Sequence, residues 1–308
     1  MILINTFKSL ADEIRLRILR VLQNGSFNVN ELLFVLQSKQ SNISHHLKIL
    51  QESGFVTSKK EGAQVYYSYN YANDSYTYST IREIIRKNSD TIPQAEEDRN
   101  RFNLLVERRR KRAEDFFNTI GEEYDKAQDE LFGKIYSVSN LLKLFTRRVI
   151  VADIGCGTGK NLPLLQNITD KVYGIDLSPK MINLAEHICL KNKLNYAVYT
   201  CDAINLPLNN GEVDGVFMNM FLHHVSTPIK MIEEIYRVLS DKGEFLFIDL
   251  LTHDKEFMLE KFMDLRMGFD ESELDKIFLS KGFMIKYKEL KRNENEGLTV
   301  AIYLLTKN

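Results

Sequence analysis

Three acidic residues and a glycine loop are the first groups in this sequence able to do chemistry. Residues 153–159 read Asp-Ile-Gly-Cys-Gly-Thr-Gly, so Gly155, Gly157 and Gly159 follow an acid at alternate positions. Glycines in that rhythm let a backbone come close to a ligand at a helix N-terminus. A dinucleotide fingerprint wants its third glycine one position later, where Lys160 stands, and its pyrophosphate would use the helix dipole. Asp153 at the end of a strand instead suits a sulfonium cofactor with a free amino group. S-adenosylmethionine is such a cofactor.

Asp176 closes the next apolar run, Val172-Tyr173-Gly174-Ile175, where a carboxylate can accept hydrogen bonds from both ribose hydroxyls. Asp202 follows the third run and is offered to the adenine amino group, while Asn219 follows the fourth and lines the crevice. The expected cofactor set is Asp153, Gly155, Cys156, Gly157, Gly159, Asp176, Leu177, Met181, Cys201, Asp202, Ala203 and Asn219. Methyl transfer is an in-line displacement, so the protein chiefly positions the acceptor and needs a base only for a protonated one. His223 and His224 at the mouth of the crevice are the candidate catalytic groups, either deprotonating a hydroxyl or shaping the pocket. His253 and Tyr124 are further candidates of that kind.

A second chemistry lies near the N-terminus. Over residues 40–52, Ile43, Leu47 and Leu50 fall on one helical face, and Gln40, Ser41, Asn42, Ser44, His45 and Lys48 on the other. These are hydrogen-bonding types suited to base edges and phosphates, and Lys59 and Lys60 follow where a wing would meet the DNA backbone. The competing reading makes them solvated groups on a domain kept for dimerisation.

The elements that must position these groups fall into two textures. Leu10, Ile14, Ile18, Leu19 and Leu22 recur at helical spacing until Asn24-Gly25, and Asn28 can cap a second helix carrying Leu32, Leu33, Val35 and Leu36. Two β-prone runs, 55–60 and 64–69, flank Glu61-Gly62-Ala63 and predict a hairpin. Helix, turn, helix and hairpin make a winged helix-turn-helix, with one more helix around Ile81, Ile84 and Ile85. Residues 94–145 are charged and helical, with a basic run at 108–112; the nearly cancelling charges favour a solvated connecting helix and lid over a second nucleic-acid site. From residue 148, strands at 149–154, 171–175, 196–200, 213–218 and 244–250 alternate with helices near 160–168, 179–193 and 228–239. Residues 283–290 and 298–306 close the chain as an antiparallel pair. The expected fold class is α/β: an N-terminal winged helix-turn-helix and a C-terminal Rossmann-like, doubly wound, seven-stranded domain. The expected boundaries are 1–92, a helical linker and lid at 93–148, and 149–308.

Bulk properties agree. A chain of 308 residues, 44% hydrophobic and 27% charged, is long enough for two folded domains. No leader or membrane-length apolar stretch is visible, so a cytoplasmic location and no membrane partner are expected. Cys156, Cys189 and Cys201 have no CxxC spacing and read as plain thiols. The formal charge of -1 splits into about +3 over residues 1–92 and about -5 over 149–308, mild support for an anionic partner at the N-terminal end.

Residues 149–250 resemble a class I S-adenosylmethionine-dependent methyltransferase of the ubiquinone-menaquinone biosynthesis type. The matching pieces are 153–159, Asp176-Leu177-Ser178-Pro179-Lys180-Met181, Leu206-Pro207-Leu208 and Leu222-His223-His224-Val225. Residues 1–90 resemble the ArsR-type winged-helix repressors, above all Ser41-Asn42-Ile43-Ser44-His45-His46-Leu47-Lys48 and its continuation to Gly54-Phe55-Val56. Asp115-Phe116-Phe117-Asn118-Thr119-Ile120-Gly121 and Leu265-Arg266-Met267-Gly268-Phe269 look like parts of fusions of the two modules. The resemblance implies a homodimeric regulator of operator DNA whose methyltransferase domain methylates a small molecule and yields S-adenosylhomocysteine. Two alternatives remain: a regulator that answers to cofactor or product without catalysis, and a small-molecule O-methyltransferase whose winged helix only pairs subunits. ArsR-type metal sensors carry paired cysteines on the first helix of the helix-turn-helix or acid–histidine pairs on the dimer helix. Residues 31–36 read Glu-Leu-Leu-Phe-Val-Leu, so no metal is expected.

Overall fold

The computed structural model describes residues 2–70, 73, 76–133, 135–146, 148–293 and 296–308. The chain divides into two compact units, 1–111 and 112–308.

Unit 1 begins with α1 (Ile2–Leu10) and α2 (Glu13–Leu22). The periodic run from Leu10 to Leu22 is therefore interrupted, because Asp12 takes an extended backbone and its side chain accepts the amide of Arg15 as an N-cap. Strand β1 (Phe27–Asn28) leads into α3 (Val29–Leu36), which starts on a capping box: Asn28 accepts the Glu31 amide at 3.0 Å and Glu31 accepts the Asn28 amide at 2.9 Å. Next come α4 (Gln40–Glu52), then β2 (Val56–Glu61) and β3 (Gln64–Tyr69) as an antiparallel hairpin, then α5 (Tyr76–Lys87). β1 joins the hairpin through Phe27 opposite Tyr67, too short a strand for alternation to reveal. Ile18, Leu19, Leu32, Val35, Ile43, Leu47, Leu50 and Phe55 are all buried, each contributing about 1.5–3 kcal/mol of burial.

The charged helix α6 (Ala95–Ile120) is 26 residues long, and the division between the units falls within it. Its first part is no solvated connector. Phe102 and Leu105 join the core of unit 1, the fully buried Asp98 pairs with Arg17 and Arg101 at 2.7 Å each, and Arg109 pairs with Glu31. Its last part belongs to unit 2, where Phe116, Phe117 and Ile120 pack with α7 (Glu122–Phe132) and α8 (Val138–Leu141) against one face of the sheet.

Unit 2 alternates β4 (Arg148–Ile154), α9 (Leu162–Gln166), β5 (Thr169–Asp176), α10 (Pro179–Lys191), β6 (Tyr196–Thr200), β7 (Val213–Asn219), α11 (Pro228–Val238) and β8 (Leu239–Leu250). After α12 (Phe257–Lys261) and α13 (Glu271–Ser280) it ends on β9 (Phe283–Asn293) and β10 (Leu298–Lys307). Among the described residues these form one seven-stranded sheet, β6-β5-β4-β7-β8-β10-β9, parallel through β8 and antiparallel in its last two strands. The chain runs outward from β4 through β5 to β6 and returns to β7 on β4's other side. The carboxyl ends of β4 and β7 therefore form a topological switch point, where open α/β sheets bind ligands. No described helix is long and apolar enough to cross a membrane.

Candidate cofactor site and nucleic-acid interface

The glycine loop at the end of β4 is tied to β5. Gly155 and Cys156 donate their amides to the Ile175 carbonyl at 2.8 and 3.0 Å, and Gly157 donates to Oδ2 of Asp176 at 3.0 Å. Oδ1 of Asp176 accepts the Ser178 amide at 2.9 Å. Each oxygen of Asp176 thus holds one backbone donor and keeps lone-pair capacity for a sugar hydroxyl. Burial pushes its carboxyl up to about 6, partly relieved by those amides.

Asp153 is 1% exposed, and its Oδ2 has no hydrogen-bond partner. Burial, reinforced by the charge of Asp176, pushes its carboxyl up to about 8. A buried acid without a donor is costly, and an ammonium group beside it removes the cost. A side chain at Gly157 would extend into open space, so the loop keeps an uncovered face. Gly159, at φ +83°, faces the other way: a Cβ there would lie 2.7 Å from the Ala185 backbone of α10. An orphaned acid, an open glycine and a carboxylate fixed at the next strand end fit a cofactor with an amino group and a ribose.

The remaining expected residues gather around this loop. Leu177 is half-buried, Met181 is buried, and Met181 sits in the first turn of α10, which Ser178 caps. Cys201 donates its amide to the Asp176 carbonyl at 3.0 Å, Ala203 is buried, and Asp202 holds the Ile204 amide at 3.1 Å through Oδ1. Asn219 accepts the Tyr136 hydroxyl at 2.8 Å, and both line a cavity of about 250 Å³ with Gln128, Lys160 and Asn161.

Tyr136 escaped sequence reading, as did the particular pairings by which the expected lid covers the loop. Asp125 accepts the Thr158 hydroxyl, Lys160 pairs with Asp129 at 3.0 Å, and Ser178 donates to Asn118 at 2.7 Å. These partners lie 31 to 60 residues away in sequence, so no local pattern marks them. Phe221 also went unread; its ring lies against Gly155.

The two candidate catalytic histidines are buried, not open at a mouth. His223 Nδ1 meets Asp249 Oδ1 at 2.5 Å and its Nε2 is 3.5 Å from Asp264 Oδ1. His224 Nε2 is 2.9 Å from the Tyr124 hydroxyl, and its Nδ1 lies 3.4 Å from the Met263 carbonyl and 3.7 Å from Asp264. Burial opposes charge on His223, but Asp249 and Asp264 outweigh it and raise it to about 9. Burial and then the charge of His223 push His224 well below its ordinary range. Tyr124 is in contact with His224, whereas the Nδ1 of His253 is used by the Lys255 amide.

In unit 1, Gln40, Ser41, Ser44, His45 and Lys48 are exposed along α4. Asn42 is half-buried and donates to Ser38 at 3.1 Å. Lys60 is exposed, while Lys59 is half-buried and pairs with Glu61 at 3.4 Å.

Residues 12–58 match the family of bacterial regulatory proteins described as arsR, and residues 152–247 match the methyltransferase domain. The chain is 24% identical to a mouse (Mus musculus) tRNA (carboxymethyluridine(34)-5-O)-methyltransferase over 84% of its own length and 38% of that protein's. It is 30% identical to a malonyl-[acyl-carrier protein] O-methyltransferase of Marinomonas sp. over 44% of its own length and 50% of that protein's. The chain thus spans half or less of the length of both relatives. In structure, the chain is similar to one from the complex of the Haloferax volcanii Trm112 methyltransferase activator with a methyltransferase, with a TM-score of 0.52, 17% identity, and coverage of 61% of this chain and 96% of that one. That likeness concerns the fold.

Proposed function

We propose that this chain, in which an arsR-family helix-turn-helix precedes a methyltransferase domain, is a DNA-binding regulator that binds S-adenosylmethionine and transfers its methyl group to a small molecule. The observation that carries the cofactor assignment is Asp153, a 1%-exposed acid with an unpartnered oxygen beside an open glycine loop. Asp153 holds the amino group, Asp176 the ribose and Asp202 the adenine amino group, with Asn219 and Met181 lining the crevice. When bound, the cofactor supplies an electrophilic sulfonium methyl. The chain's part is to hold the acceptor in line and to exclude water, which the segment from Asn118 to Tyr136 supports by closing over the loop.

Both named relatives are O-methyltransferases, which puts oxygen acceptors first in any panel. Release of S-adenosylhomocysteine with one member of a panel of carboxylic acids, phenols, quinones, thiols and amines is the expected outcome. Silence across the panel, with cofactor bound, would remove the catalytic part of the reading. One observation favours the regulator without catalysis: every ring nitrogen of His223 and His224 already has a polar partner within 3.7 Å. That reading requires the cofactor to bind the two DNA-affinity states unequally. Equal DNA affinity with S-adenosylmethionine, with S-adenosylhomocysteine and with neither would sink it.

For the DNA partner, the exposed polar face of α4 and Lys60 support operator binding. The exposed Ile4, Phe7 and Ile84 on α1 and α5 support a homodimer paired through unit 1. Analytical ultracentrifugation should find two chains per particle, and a monomer at tens of micromolar would refute the pairing.

A further inference from the structure

Behind the crevice, two imidazoles and two carboxylates meet away from water. His223 and His224 follow β7, Asp249 is at the end of β8, and Asp264 lies in the segment after α12. Their side chains are 3%, 4%, 0% and 0% exposed. The two carboxylates formally bring two negative charges into the interior. Arg266, whose charge acts on His223, pairs with Glu273 at 2.7 Å. A proton on one imidazole offsets one of those charges; a dication offsets both.

We propose that His223, His224 and Asp264 form a binding site for one divalent transition-metal ion of the zinc class, independent of the methyl-transfer reading. One ring nitrogen of each histidine and an oxygen of Asp264 lie within 4.8 Å of one another, and the nitrogens nearest Asp264 are Nε2 of His223 and Nδ1 of His224. Asp264 Oδ1 is 3.5 Å from the first nitrogen and 3.7 Å from the second. Ligands about 2.1 Å from a tetrahedral zinc stand about 3.4 Å apart, so the donors need shift by only tenths of an ångström along those two edges.

The outer contacts have the arrangement a metal-bound imidazole requires. Each ligating ring has its other nitrogen engaged: Nδ1 of His223 on the Asp249 carboxylate and Nε2 of His224 on the Tyr124 hydroxyl, itself a hydrogen-bond acceptor for Gln128. Asp249 is further held by the amides of Leu222 and Leu250 at 2.7 Å each, so it orients His223 without being a ligand. Two histidines and a carboxylate suit zinc, cobalt or iron(II) rather than calcium or magnesium, which prefer all-oxygen shells.

The test uses the full chain purified without chelator and without a histidine tag. Elemental analysis should find about one zinc per chain. After removal of the metal, titration with Co²⁺ should give visible d–d absorption that saturates at one equivalent and is displaced by Zn²⁺. Asp264→Asn, nearly isosteric, should weaken Co²⁺ binding at least tenfold, and Asp249→Asn should weaken it about 10–100-fold through His223. His224→Gln serves the same purpose if Asp264→Asn fails to fold by circular dichroism. A folded wild-type chain that gives no Co²⁺ absorption at 100 micromolar metal would overturn the site and leave a protonated His223 between two acids. Stoichiometric binding that survives in the folded variants would overturn its location.

Discussion

Asp153 and Asp176 make the cofactor crevice a proton-linked one. With Asp153 raised to about 8, its carboxyl is protonated at pH 7 before binding and ionised once an ammonium lies beside it. Calorimetry in buffers of different ionisation enthalpy should therefore record about one proton released per S-adenosylmethionine bound at pH 7. Asp153→Asn should release almost none; equal release from both proteins would show that the amino group sits elsewhere. The same raised value fixes a stability trend. A carboxyl that binds its proton more tightly folded than unfolded contributes stability at low pH, and that contribution is lost as pH rises from about 4 toward 8. Ligand-free unit 2 should melt lower at pH 8 than at pH 6, and Asp153→Asn should flatten the difference. These acids were legible in the sequence because each ends a strand beside a glycine or a short polar turn. Asp264 was not: it lies 41 residues beyond His223 (264 less 223) in no acidic motif of its own, and only the fold brings the two together.

At the scale of elements, the exposed face of α4 and the wing predict two different responses to mutation. His45→Ala or Gln40→Ala should cost about 1–3 kcal/mol on the preferred sequence and relax its specificity. Lys60→Ala should weaken all sequences alike and reduce the salt slope by about one. Fluorescence anisotropy against operator and scrambled DNA over a range of salt separates them, and no change for either class would favour a purely dimerising winged helix. Lys59 should matter less than Lys60, since Glu61 already offsets its charge. Periodicity placed α4 correctly because it has one wet and one buried face, and β-prone runs on either side of Glu61-Gly62-Ala63 placed the hairpin. Periodicity left the rest of α1 unread and carried Leu10, its last residue, into α2 because apolar spacing continues across the break that the Asp12 cap makes. Helix α13 was missed as well, although Asp270 caps it through the Ser272 and Glu273 amides.

Across the whole molecule, the charged middle segment belongs to the two units rather than standing between them as a linker. Asp98→Ala should destabilise unit 1 by about 3–5 kcal/mol, because it leaves the buried Arg17 with only the exposed Glu13 at 3.7 Å to offset its charge. Thermal denaturation should show that loss, and a melting temperature within a degree of wild type would contradict it. Charge composition alone could not reveal this, since a run of Glu, Asp and Arg reads the same whether its partners are water or another helix. The central claim is narrower: the glycine loop and the two strand-end acids of unit 2 hold S-adenosylmethionine. Isothermal titration of S-adenosylhomocysteine into the full chain and into Asp176→Ala tests it most directly. The expected result is one site per chain in the wild type and at least about a thirtyfold loss in a folded variant, from hydrogen bonds to a charged group worth about 1.5–3 kcal/mol each. Undiminished affinity in Asp176→Ala would contradict the claim.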